Sequence, residues 1–87
     1  MKKTLRERLA EVDPEIVLAD GFDEAFIGLV KRCGQPIIAL YDRDLAVLTL
    51  TRRGMTLEEA EEFFEFNVID AWVGERTPMF REYLGAE

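Results

Sequence analysis

The sequence predicts an α+β domain: a small antiparallel sheet, made of a hairpin plus a closing strand, packed by two to three helices. Three observations predict it. Two short apolar runs, Phe26-Ile27-Gly28-Leu29-Val30 and Ile37-Ile38-Ala39-Leu40-Tyr41, flank a segment with glycine and proline, Lys31-Arg32-Cys33-Gly34-Gln35-Pro36, which is the pattern of a β-hairpin. Thr56-Leu57-Glu58-Glu59 is a capping box, in which threonine accepts from the amide three residues on and glutamate reaches back. Leu5, Leu9 and Val12 recur at helical spacing with charges between them.

Residues 2–12 form the first, amphipathic helix. Asp13-Pro14 ends it, because the residue before proline is pushed out of the α region. Ile16-Val17-Leu18-Ala19, closed by Asp20-Gly21, suits a short strand, although Asp13-Pro14 equally suits the cap and first position of another short helix. The hairpin follows. A helix over residues 24–33 competes with its first arm, and Gly28 weighs against that helix by ~1 kcal/mol relative to alanine.

Asp42 caps a helix over residues 43–53, with Leu45, Leu48 and the Val47 side inward. Gly54 ends it, after two arginines that complement the helix dipole. The capping box opens the next helix, which runs from Leu57 to about Val68, at longest to Trp72, and stops at Gly74. Its core stripe is Leu57, Ala60, Phe64, Val68 and Ala71. Met79-Phe80, within residues 77–84, is the closing strand. With no repeat and no linker, residues 1–87 make a single domain: residues 1–13 the N-terminal helix, residues 14–87 the α+β core.

Composition narrows the function. The chain carries a formal net charge of -7 at a pI of about 4.6, which repels phosphate backbones and suits a partner with a positive groove. It contains no histidine and no serine, and Gln35 and Asn67 are its only side-chain amides. The commonest general base, metal ligand and hydroxyl nucleophile are therefore missing, and the expectation is a binding protein rather than an enzyme. A single cysteine, Cys33, excludes an internal disulfide; no stretch suits a signal peptide or a membrane span. The chain reads as cytoplasmic, with no cofactor.

On the Leu57 helix, Glu58, Glu61, Glu62 and Glu65 stand at i, i+3, i+4 and i+7, four carboxylates in one stripe. No lysine or arginine lies between Met55 and Ala71 to neutralise them. Four charges over about 10 Å of helix axis compare loosely with one phosphate per ~3.4 Å of a DNA strand. The ridge can imitate a nucleic-acid backbone, or it can be an ordinary solvated face of good helix formers. Asp20 and Asp23 add negative charge as partner-binding candidates, and Glu24, Asp42 and Asp44 add more. Phe63, Phe66, Ile69 and Trp72 fall off the core stripe and form a candidate oligomer interface, since such aromatics anchor contacts between chains.

Two other constellations are weaker. Asp20-Gly21-Phe22-Asp23-Glu24 and Asp42-Arg43-Asp44 offer oxygen ligands for calcium or magnesium but no calcium-loop pattern, so the expectation is no metal site, with a carboxylate- and metal-dependent enzyme through Asp20, Asp23 and Asp42 as the competing idea. The two helices around Arg52-Arg53-Gly54-Met55-Thr56 look like a helix-turn-helix. The would-be recognition helix, however, carries the glutamates, which DNA repels.

The run Gly54-Met55-Thr56-Leu57-Glu58-Glu59-Ala60-Glu61-Glu62-Phe63-Phe64-Glu65-Phe66-Asn67-Val68, with Ala71-Trp72-Val73-Gly74-Glu75-Arg76-Thr77-Pro78, resembles a family of small proteins encoded by bacteriophages and prophages. Phe26-Ile27-Gly28 and Tyr41-Asp42-Arg43-Asp44 extend the resemblance over roughly the last two thirds of the chain. It implies a phage-related origin and an α+β fold, and carries over no catalytic or binding residue. Together with the charge, it leads to the expectation of an inhibitor of a host nucleic-acid-binding machine, in the style of anti-CRISPR proteins and DNA mimics. The alternative is a homo-oligomeric interaction module.

Overall fold

A computed structural model describes residues 3–69, 71 and 73–84. The architecture is α+β, with helices and a three-stranded sheet. Helix α1 spans Leu5–Val12 and starts at a capping box of its own, Thr4 with Glu7. Strands β1 (Phe26–Val30) and β2 (Ile38–Asp42) form the antiparallel hairpin expected from their two apolar runs. The competing helix over residues 24–33 does not form. Only a single 3-10 turn, Asp23–Ala25, precedes β1.

Asp42 ends β2 and at once caps α2 (Arg43–Arg52), its side chain accepting from the Leu45 amide at 3.0 Å. Helix α2 closes in a Schellman arrangement: the Gly54 amide donates to Thr51 and the Met55 amide to Leu50. Gly54 takes a φ of 105° there, a conformation open to glycine and costly for other residues. Helix α3 (Leu57–Phe63) opens at Thr56 and Glu59, which satisfy each other's backbone amides at 3.1 and 2.9 Å. The helix then widens into a π-segment, Phe64–Val68, marked by the Ile69 amide donating to Phe64 at 2.8 Å. Strand β3 (Met79–Arg81) completes the sheet beside β2.

The core lies between the sheet and α2–α3. Its fully buried side chains are Tyr41, Phe64 and Leu50, with Phe22, Ala25, Ala39, Ala46, Val47 and Ala60 around them. An aromatic column crosses it. Phe26 meets the Tyr41 edge at 5.6 Å, Tyr41 stacks on Phe80 at 5.4 Å, and Phe80 meets Phe64 edge-on at 5.0 Å.

Four expectations need correction. The sheet is mixed, not wholly antiparallel: β3 runs parallel to β2, because the chain crosses over through α2 and α3 before it re-enters the sheet. Residues 16–19 are neither strand nor helix. Ile16, Leu18 and Ala19 pack against the core as irregular chain, and the Ala19 amide donates to the buried Tyr41 hydroxyl at 2.8 Å. Leu45 and Leu48 are not inward, being 40% and 42% exposed; the buried face of α2 is Ala46, Val47, Thr49 and Leu50. Alanine and threonine let the backbone approach the core closely, and the Thr49 hydroxyl is satisfied by the Leu45 carbonyl at 2.9 Å. On α3, Ala60 and Phe64 are buried and Val68 half-buried, but Leu57 and Ala71 are exposed. Leu57 belongs to the first turn, which faces the outer flank of α2 instead of the sheet.

Candidate functional site

The capping box fixes where α3 starts, and with it the direction of every glutamate on the helix. Glu58, Glu62 and Glu65 are exposed, and among the described residues none has a lysine or arginine within ion-pair distance. Glu61 differs. It turns toward α2, where Arg43 lies 3.5 Å away. The ridge is thus three carboxylates without an ion-pair partner among the described residues and one, Glu61, that shares the Arg43 guanidinium with Asp44. The wider π-turn starts at Phe64, so Glu65 departs from the regular spacing of the first three glutamates.

Arg43 is the residue that sequence reasoning missed. Its guanidinium reaches Asp44 at 3.3 Å and Glu61 at 3.5 Å, and stands over the Phe64 ring at 5.8 Å. Its Nε is buried and has no hydrogen-bond partner. The only signal was its place as the first residue of an N-capped helix, which says nothing of a partner eighteen positions away.

The other acidic candidates are dispersed. Asp20 pairs with Arg6 at 2.8 Å and Glu24 with Arg52 at 3.7 Å, while Asp23 is exposed at the start of the 3-10 turn. Asp42 is only 4% exposed. Its second oxygen accepts from Arg81 at 2.6 Å, joining the register partners that close β3 onto β2. Burial pushes the Asp42 carboxyl up most strongly, but the Leu45 amide, the Arg81 bond and the Arg81 charge together hold it below the ordinary carboxylate range. These are structural duties. Among the described residues, no group of three or more Asp, Glu or Cys comes together that could hold a metal ion, and Asp20, Asp23 and Asp42 do not form one site.

The apolar candidates are on the surface. Phe66 is 74% exposed, and Phe63 and Ile69 are exposed to a lesser degree. Trp72 lies outside the described residues. Cys33 is an exposed loop thiol. No helix of the described residues is long and apolar enough to cross a membrane.

Compared with models of known protein families, with curated proteins and with solved structures, the chain matches none.

Proposed function

We propose that this chain is a non-enzymatic, phage-type binding protein whose acidic α3 face occupies a positively charged groove of a host nucleic-acid-binding protein. The observation that carries this reading is the set of exposed carboxylates Glu58, Glu62 and Glu65, which have no lysine or arginine within ion-pair distance among the described residues, in a chain of net charge -7. Placing like charges together on a helix costs a few tenths of a kcal/mol per pair, a cost that a cationic groove reverses. Inhibition follows by occupancy, because a groove filled by carboxylates is closed to phosphate. Absent histidine and serine argue against catalysis. The dispersal of Asp20, Asp23 and Asp42 argues against the competing carboxylate enzyme. Work in the host cytoplasm, without a cofactor, belongs to the same reading.

The test is capture from bacterial lysate with two baits, the wild type and a Glu58→Gln, Glu62→Gln, Glu65→Gln variant. Glutamine keeps size and helix propensity while removing charge. The reading expects a nucleic-acid-binding protein held by the first bait and lost from the second. Equal capture by both, or capture of no such protein, overturns it.

A second reading, a homodimer through Phe63, Phe66 and Ile69, is favoured by the exposure of Phe66. Analytical ultracentrifugation decides it: a monomer at every concentration removes the dimer, and a dimer that Phe66→Asp dissolves supports it.

A further inference from the structure

The groove between α2 and α3 is the second feature of this surface. Leu45 and Leu48 from α2 and Leu57 from α3 surround it, and the buried Val47 lies at its floor. It encloses about 360 Å³. The three leucines are 40%, 42% and 61% exposed, although α2 and α3 both contribute buried residues to the core. Exposed leucines grouped about one groove, and not scattered singly, mark a place where apolar side chains of a partner are received.

The rim decides which partner. Asp44 and Glu61 border the groove, each with about half its side chain in water, and among the described residues Arg43 is the cation between them. Two carboxylates against one shared guanidinium leave the rim net negative. A second copy of the chain would bring the same negative rim and another net charge of -7, so self-association through this groove is opposed by charge. An occupant with leucine-sized side chains on one face and lysine or arginine at the edges meets both parts of the surface. An amphipathic helix has that form, with anchors at i, i+3 or i+4, and i+7.

We propose that the α2–α3 groove docks a basic amphipathic helix of a partner protein. Leu45, Leu48 and Leu57 receive its apolar side chains, and Asp44 and Glu61 hold its flanking cations. The proposal rests on the reading of this chain as a binder of basic proteins, and adds the place where the apolar part of such a partner goes. The neighbouring Glu62 and Glu65 remain for the partner's more distant charges.

The test uses the full chain and a synthetic helical peptide of about four turns, with leucines at i, i+4 and i+7 and lysines beside them. A scrambled peptide of the same composition is the control. Amide chemical shifts locate the site and fluorescence anisotropy measures affinity. The proposal expects shifts concentrated at residues 43–51 and 57–61, and preference for the amphipathic order over the scrambled one. It also expects about tenfold or greater weakening by Leu48→Glu, as for loss of an interface anchor. Leu45→Ala with Leu48→Ala, in which no charge is introduced, gives the same direction if Leu48→Glu disturbs the fold. The Glu62→Gln, Glu65→Gln variant still docks the peptide. Equal binding of both peptides leaves the acidic face standing and overturns the groove, as does docking unaffected by the leucine variants. Binding lost in Glu62→Gln, Glu65→Gln but kept in the leucine variants overturns it too. A concentration-dependent dimer abolished by Leu48→Glu assigns the groove to a second copy and overturns the proposal.

Discussion

Replacing Asp42 separates two duties that one carboxylate performs. Its first oxygen caps α2 through the Leu45 amide at 3.0 Å, and its second holds Arg81 at 2.6 Å across the β2–β3 register. Asp42→Ala removes both. Loss of an N-cap costs about 1 kcal/mol, and loss of a charge-assisted hydrogen bond about another 1–2 kcal/mol. The second figure takes the low end, because the Arg81 side chain is 44% exposed and recovers hydration once released. The expected total is about 2–3 kcal/mol, a large part of the stability of a small domain. Asp42→Asn keeps an oxygen for the cap and gives up the charge, so its expected cost is about 1 kcal/mol. Urea unfolding followed by far-UV circular dichroism measures both, and a double-mutant cycle of Asp42→Asn with Arg81→Gln isolates the pair. Equal costs for Asn and Ala, or a cycle coupling energy near zero, would refute the division of labour.

Acid should expose the same group. The Glu15 amide first, and then Arg76 at 3.0 Å, hold the Asp13 carboxyl below its ordinary value, and Asp42 is held low as well. A depressed folded pKa gives stability that is present above the unfolded value and lost as pH falls through the folded one, so the unfolding midpoint stays level from neutrality to about pH 5 and drops below about pH 4. The drop is shallower in Asp42→Asn, as a pH series of thermal melts reads directly. Tyr41→Phe leaves the Ala19 amide without its 2.8 Å acceptor and costs about 1–2 kcal/mol, with faster amide exchange at residues 16–20 as the local readout. Phe64→Ala removes the fully buried ring on which Phe80 and Arg43 converge, at about 3–5 kcal/mol by denaturant unfolding.

Local chemistry was legible in the sequence, and long-range placement was not. The hairpin was readable because two apolar runs bracket Gly34 and Pro36, and α3 because Thr56 and Glu59 stand three apart. The same signature at Thr4 and Glu7, which starts α1, was equally available and passed unread. The inward face of α2 was hidden because Leu45, Ala46, Val47, Leu48 and Leu50 leave no single stripe, so packing against the core chose among them. The direction of β3 depends on a crossover through two helices, which no short-range pattern records. On the acidic helix the glutamate spacing was readable, whereas the Arg43–Glu61 pair arises only when α3 packs on α2, and no spacing in the sequence marks the π-turn at Phe64. The groove lined by Leu48 and Leu57 was missed for the same reason, since both leucines looked like core.

If the exposed carboxylates Glu58, Glu62 and Glu65 compete with nucleic acid for a basic groove, a titration of the captured partner, bound to labelled duplex DNA, reads it out, with this chain and with the Glu58→Gln, Glu62→Gln, Glu65→Gln variant at fixed salt. The wild type is expected to release the DNA at stoichiometric concentrations, and the variant is not. Release by both proteins alike, or DNA that stays bound at saturating wild-type chain, contradicts it.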